Sequence, residues 1–428
     1  MTFPRRLAAA AALVAVAVCL SLAVAGEDAG APGLIAYVDL EGELWVVHPD
    51  GTDPRKLTKG GPVHAISFSP TQGDQGDDFY TWPAWSPDGK RVMVFRVSQE
   101  GEQLIDGLYV FDAASSRILD VYSSPKLRPI YAYWSPDGTR LALLLQNPSG
   151  FSLSLWPSPT GEKPKSIADG VPFFFDWKKD ATSLLLHVGN DPDSPAGHSV
   201  KLLLLSSGKR EVISLTPATF GPPSWSADGD WMAYGRVTDK AQAQLVVANP
   251  EGGKPHSVSD ISQRVAFVWS PTSPVLALAT TSEQEPLYKE IRLVDARSGK
   301  SSSLATGGAI AAFFWSPKGD RILYAKRDIE KGDWVWAVVD VATRKSRDLG
   351  RFFPSRPLTM VFQYFDQYAL SHRVWSPDGR AFVFSGIAEA DYQQGEPWTS
   401  PRVYVMSADG KAAPRQIGNG HTAFWSPK

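Results

Sequence analysis

The chain has 428 residues, 43% of them hydrophobic and 21% charged, a globular rather than disordered or fibrous composition. Lys and Arg number 43 against 45 Asp and Glu, a net charge of −2 with no block of one sign, which argues against nucleic acid or an anionic membrane surface as the main partner. A single cysteine, Cys19, excludes a disulfide framework and any Cys-based metal or nucleophile site.

Residues 1–25 read as a signal peptide. Arg5 and Arg6 form a basic start, an apolar run of 19 residues follows from Leu7 to Ala25, and Ala23-Val24-Ala25 is a small-x-small cleavage signal before Gly26. Cleavage removes Cys19, Arg5 and Arg6, so the mature chain carries no cysteine and its net charge moves from −2 to −4. A retained anchor is the alternative, because 19 apolar residues just span a bilayer. Val18 is too bulky for a lipobox ahead of Cys19. Residues 26–33 are expected to be a short linker, and 34–428 a single domain.

From residue 34 onward one repeat organises the chain. Trp85-Ser86-Pro87-Asp88-Gly89 recurs unchanged at Trp134 and Trp375, with variants at Trp225, Trp269 and Trp315, a worn copy at Trp177, and Trp425-Ser426-Pro427-Lys428 at the end. The spacings are 49, 43, 48, 44, 46, 60 and 50 residues, and eight of the 15 Trp occupy this one position. Each word precedes a short apolar strand, then a second strand such as Leu108-Tyr109-Val110-Phe111, an Asp- or Gly-containing turn, and a last short strand. Four strands per period is the pattern of a β-propeller blade. Pro presets φ for a type I turn, Asp bonds the backbone two residues on, and Gly accepts positive φ. The recurring Trp is read as a wedge packed between blades.

The chain opens with a strand, 34–38, that lacks a Trp word, and ends with a Trp word that lacks a following strand. The expectation is an all-β, eight-bladed β-propeller of four-stranded blades, closed by pairing of the C-terminal strand with the N-terminal blade, which removes an open edge. The words Trp-Ser-Pro-Asp-Gly-Lys/Arg, together with Leu44-Trp45-Val46-Val47 and the following Asp-Gly-Thr-Asp-Pro-Arg-Lys-Leu-Thr, resemble the WD40-like (PD40) repeats of the TolB-like propeller family. The resemblance covers nearly all of the mature chain and implies a periplasmic or extracellular propeller that binds something. TolB resembles a six-bladed ring behind an α/β domain, whereas here the repeats begin close to the cleavage site, so TolB's partner residues are not transferred.

The word turns are short and uniform, so they belong to one face; the variable loops on the other face are where function is expected. Three are long: 59–81, 351–371 and 386–400. They carry Phe79, Tyr80, Tyr364, Asp366, Gln367, Tyr368, Tyr392 and Trp398, the candidate residues for binding a ligand or partner. Asp74, Asp77 and Asp78 make this patch acidic, which suits a basic or cation-bearing partner. Within 351–371, Leu358, Val361, Phe362, Phe365 and Ala369 recur at three- and four-residue steps and predict a helix. It reads either as a lid presenting Tyr, Asp and Gln, or as a plug burying aromatics over a wide channel.

Of the seven His, none has a zinc-motif spacing. His372 and His421 precede their Trp words by three and four residues and are the candidates for a channel metal; strand capping is the competing reading. Asp74, Asp77 and Asp78, or Asp191 and Asp193, could hold Ca²⁺, but they lack the EF-hand pattern and are read as solvated turns. There is no Gly-x-Ser-x-Gly elbow and no phosphate loop in a strand-to-helix context. The chain is therefore expected to be an exported, non-catalytic binding or scaffolding module of the cell envelope without a cofactor. Its partner would be an envelope or extracellular protein, or a peptide or glycan ligand. The alternative is a lyase or hydrolase acting on carbohydrate or peptide at the channel mouth.

Overall fold

The computed structural model describes residues 32–58, 79–100, 103–192, 194, 195, 197–218, 221–250, 255–261, 264–281, 287–392 and 400–428. The segment read above as a signal peptide, the expected linker up to residue 31, residues 59–78 with Asp74, Asp77 and Asp78, Asp193, and residues 393–399 with Trp398 lie outside them.

At Trp85, Trp134, Trp177 and Trp225 the word follows a strand that opens an antiparallel four-stranded sheet, and each sheet or unit is named here for its Trp. The Trp85 sheet runs Phe79–Trp85, Arg91–Glu100, Gln103–Asp112, Ile118–Ser123; the Trp134 sheet runs Arg128–Trp134, Arg140–Asn147, Gly150–Pro157, Lys165–Gly170. The Trp177 sheet (Phe173–Trp177 to Arg210–Ser214) and the Trp225 sheet (Ser224–Trp225 to His256–Asp260) follow the same order. Strand order is sequential in every case, as hairpin connections require.

The words form the turns their chemistry predicts. Ser86 Oγ donates to Asp88 Oδ1 (2.5 Å) and accepts from Arg91 N (3.0 Å), Lys90 N donates to the same Asp88 oxygen (3.1 Å), and Gly89 sits at φ +71°. The word at Trp375 repeats this, with Ser376 Oγ 2.7 Å from Asp378 Oδ1 and Gly379 at φ +72°.

The strands from Val265 to Asn419 differ from simple four-strand units: ten of them form one continuous sheet. The reason lies at the unit boundaries. Strand Ser301–Trp315 pairs through its first half with Tyr288–Asp295 and through its second half with Arg321–Arg327. It turns the corner at Gly307, Gly308 and Ala309, all at positive φ (117°, 71° and 55°). Likewise Ser346–Pro354 passes from Trp334–Asp340 to Ala381–Ala388. The innermost strand of the Trp375 unit is reduced to a bridge between Trp375 and Phe382.

Between sheets the Trp does two jobs. Seven of the eight word tryptophans are buried, Trp315 partly so. Four indoles donate to the carbonyl just before the neighbouring Trp: Trp85 Nε1 to Phe424 O (3.1 Å), Trp269 to Ser224 O (3.2 Å), Trp315 to Val268 O (3.0 Å) and Trp375 to Phe314 O (3.1 Å). Elsewhere a cation does the linking. Arg91 stacks 4.5 Å over Trp134 and donates to Gly138 O; Arg140 lies 5.4 Å over Trp177 and donates to Ala181 O; Lys178 lies 5.6 Å over Trp225. Arg91 and Arg140 stand six residues after their own Trp, a latch position within the repeat.

The last strand, Thr422–Trp425, pairs antiparallel with the first, Ile35–Val38, in the register Ile35↔Trp425 to Val38↔Thr422. With Leu44–Val47 and Arg55–Lys56 they make one four-stranded sheet from the two ends of the domain. Trp425 N also donates to Arg373 O (2.7 Å) in the Trp375 unit.

Candidate functional site

Of the three candidate loops, the segment 355–372 is described throughout. Ser355 caps helix α1 (Arg356–Gln363), its Oγ accepting from Leu358 N (3.2 Å) while it donates to His421 O (2.7 Å). Pro357 stands in the first turn, where its missing N–H costs no bond. The helix breaks at Tyr364, and a short second helix, α2 (Phe365–Tyr368), follows.

Leu358, Val361, Phe362 and Phe365 are buried, as their spacing predicts, and Ala369 is partly covered. Phe365 lies 4.6 Å from Phe313 and 6.1 Å from Tyr288; Phe362 lies 5.4 Å from Trp334 and 5.5 Å from Trp336. At the far end Tyr368 stacks on Trp82 at 5.0 Å and 1°, and meets Tyr131 edge-on at 6.1 Å. Tyr131 OH donates to Gln367 O (3.2 Å) and contacts Ser371 Oγ (3.0 Å). The segment thus joins the Trp269 and Trp315 units to the Trp85 and Trp134 sheets. The plug reading describes its inner side.

Trp82 supports that contact at a cost. It sits at φ +54°, inside a register shift between Thr81 and Ala84. Such a bulge re-aims a side chain, here onto the ring of Tyr368. Trp82, Tyr131 and His372 all stand three residues before their Trp words and all meet Tyr368. That shared offset is the signal by which Trp82 and Tyr131 could have been found.

The other candidates divide. Tyr364 and Tyr392 are each 44% exposed, and Tyr392 rests 4.7 Å from Phe353. Phe79 and Tyr80 are in a strand rather than a loop, paired with Val97 and Arg96. Tyr80 packs edge-on against Tyr109 (5.8 Å) and Phe111 (6.2 Å), and that burial extends the strand to Phe79. Tyr368 is half-buried by its stack, not an open anchor. Asp366 is also half-covered; burial pushes its carboxyl up to about 6, opposed by the charge of Arg264. Arg264 ties this corner down by donating to Gln363 O. Asp191 is no solvated turn: it is buried with Lys201 (Nζ–Oδ2 2.8 Å) and accepts from Ser199 Oγ, so its counter-charge is an ammonium.

His372 and His421 are both buried. His372 Nδ1 meets Ser371 Oγ (2.7 Å) and His421 Nδ1 meets Thr422 Oγ1 (2.8 Å); neither Nε2 has a partner. Among the described residues no group of three or more His, Cys, Asp or Glu is placed to hold a metal. Burial pushes His372 down to about 3 and His421 down to about 4. The unfolded imidazoles titrate near 6.5, so as pH falls below that value the unfolded chain takes up protons that the folded one refuses. The two His therefore leave stability untouched above about pH 6.5 and subtract from it progressively toward pH 4. Asp366, neutral below about 6 in the fold, offsets part of this. Replacing both His with Gln is expected to flatten the fall in urea midpoint between pH 6.5 and 4; an unchanged slope would assign the acid sensitivity elsewhere.

No family model matches the chain, and no curated protein does. Solved structures do match at low identity. A prolyl endopeptidase structure is 14% identical at TM-score 0.55, covering 79% of this chain and 50% of that one. An oligogalacturonate lyase from Vibrio parahaemolyticus is 11% identical at TM-score 0.51, covering 76% and 85%. TolB from Acinetobacter baumannii is 16% identical, covering 79% and 83%, at TM-score 0.39. The first two likenesses extend to the fold alone: an all-β propeller built of antiparallel sheets. Among the described residues no helix is long and apolar enough to cross a membrane.

Proposed function

We propose that the chain is an exported, eight-bladed propeller closed through its terminal strands, and that it acts as a non-catalytic binding or scaffolding module. Contacts between successive units support the ring, from Trp85 with Phe424 round to Trp425 with Arg373. The observation that carries the binding reading is the two-sidedness of segment 355–372. Its inner side is locked by Phe362 and Phe365, while Met360 (50% exposed) and Tyr364 (44%) face outward from a rigid base. Apolar and aromatic groups held in this way lose little side-chain entropy on contact, which suits an interface anchor. The partner is an envelope or extracellular protein, or a peptide or glycan ligand, with a basic or cation-bearing group near Asp366.

Tyr364→Ala with Asp366→Ala is expected to weaken partner capture from envelope extract severalfold while leaving the melting temperature nearly unchanged, because Tyr364 is open to solvent. Asp137→Ala, on a word turn, is the control. Loss of the partner with the control variant, and retention with the double one, would assign the wrong face.

The enzyme reading rests on the free Nε2 atoms of buried His372 and His421. A stoichiometric transition metal in the purified protein, lost on replacing either His, would favour it.

A further inference from the structure

A cavity of about 180 Å³ lies between the Trp269, Trp315 and Trp375 units, beneath Ala369 and His372. Trp269, Trp315 and Trp375 are among its lining residues, and their indole N–H groups are all spent on backbone carbonyls. One cation stands in it, Arg373. Among the described residues no Asp or Glu lines the cavity, and no side chain or carbonyl pairs with the Arg373 guanidinium. By contrast Arg91, Arg140 and Arg321, each six residues after its own Trp, donate to a carbonyl of the next unit. Arg373 remains exposed, yet protein surrounds it closely enough that desolvation lowers its pKa. His372 also lines the cavity; it is 96% buried and its Nε2 has no partner.

A guanidinium with five unspent donors, beside three indoles, complements a planar oxyanion. A carboxylate matches its planar fork bidentately, and an apolar body fills the space between the indoles. We propose that this cavity is a binding site for a small apolar carboxylate, held by Arg373 through its carboxylate and by Trp269, Trp315 and Trp375 through its body. His372, neutral and carrying its proton on Nε2, donates the remaining hydrogen bond. The site is separate from the outward face of segment 355–372, so it stands or falls independently of the partner proposed above.

Benzoate is the probe, titrated into the full mature chain by calorimetry against benzamide and inorganic phosphate. Benzoate is expected to bind one-to-one and at least about tenfold more tightly than benzamide, a difference of about 1.4 kcal/mol. Arg373→Gln is expected to abolish that preference. Arg373→Lys, which keeps the charge but not the fork, should retain part of it. Tyr364→Ala should leave it intact. Equal binding of benzoate and benzamide, benzoate binding unchanged in a folded Arg373→Gln protein, or no benzoate binding at millimolar concentration would each overturn the proposal. Phosphate binding as tight as benzoate would overturn it too, by showing a simple anion hole.

Discussion

Removal of residues 421–428 is expected to abolish cooperative folding of the domain, or to lower its urea midpoint by more than any single substitution. The deletion strips all four partners of strand Ile35–Val38 on one side. It also removes the carbonyl that accepts the Trp85 indole, the Ser426–Leu34 pair (2.8 Å each way), and the His421 carbonyl that holds Ser355 and Ser385. Trp425 alone is wholly buried, so Trp425→Ala should cost about 3–5 kcal/mol. Urea denaturation followed by Trp fluorescence measures both. A truncated protein that unfolds cooperatively at the wild-type midpoint would refute the closing role of the terminal strand and, with it, the ring of eight.

The second large effect is expected at Phe365. Its ring is 0% exposed and meets Phe313, Tyr288 and Phe314 from three directions. Phe365→Ala should cost about 3–5 kcal/mol, because the rigid strands around it cannot collapse into the space. Tyr364→Ala, one residue away and 44% exposed, should stay within about 0.5 kcal/mol of wild type. The contrast between neighbours is the test. If the two variants lose similar stability, the segment is not anchored by one side, and the basis for assigning its outer side to recognition goes with it. A protein in which Phe365→Ala is harmless would show the segment to be a loose lid.

Much of this molecule is legible in its repeat. The Trp word specifies a strand end, a turn and the start of the next strand within six residues, and each part acts through local chemistry. Ser86, Asp88 and Gly89 satisfy their own turn without help from distant residues. The missing strand at one end and the surplus word at the other point to the pairing of Ile35–Val38 with Thr422–Trp425, since an unpaired inner strand exposes its hydrogen-bonding edge. The apolar stripe of 358–369 likewise identifies the buried side of the helical segment, because helical period alone decides which residues share a face.

The candidate patch was less legible. Tyr364 and Tyr368 are both aromatics of one segment, four residues apart, and nothing local separates them. What separates them is Trp82, nearly three hundred residues earlier in the chain, turned by a bulge so that its ring covers Tyr368. Asp366 reads as a surface acid until Arg264 and the walls around it cover it. Arg373 reads as one more strand arginine. Its isolation follows from which three units meet there and from the fact that none of them brings a carboxylate. The sequence by itself determined the strands, the turns, the wedge tryptophans and the helix, because each depends on residues close together in the chain. Which aromatics are spent on packing, which stay open and whether Arg373 meets a carboxylate depend on tertiary contacts, because burial and charge pairing are set by whatever the fold brings alongside.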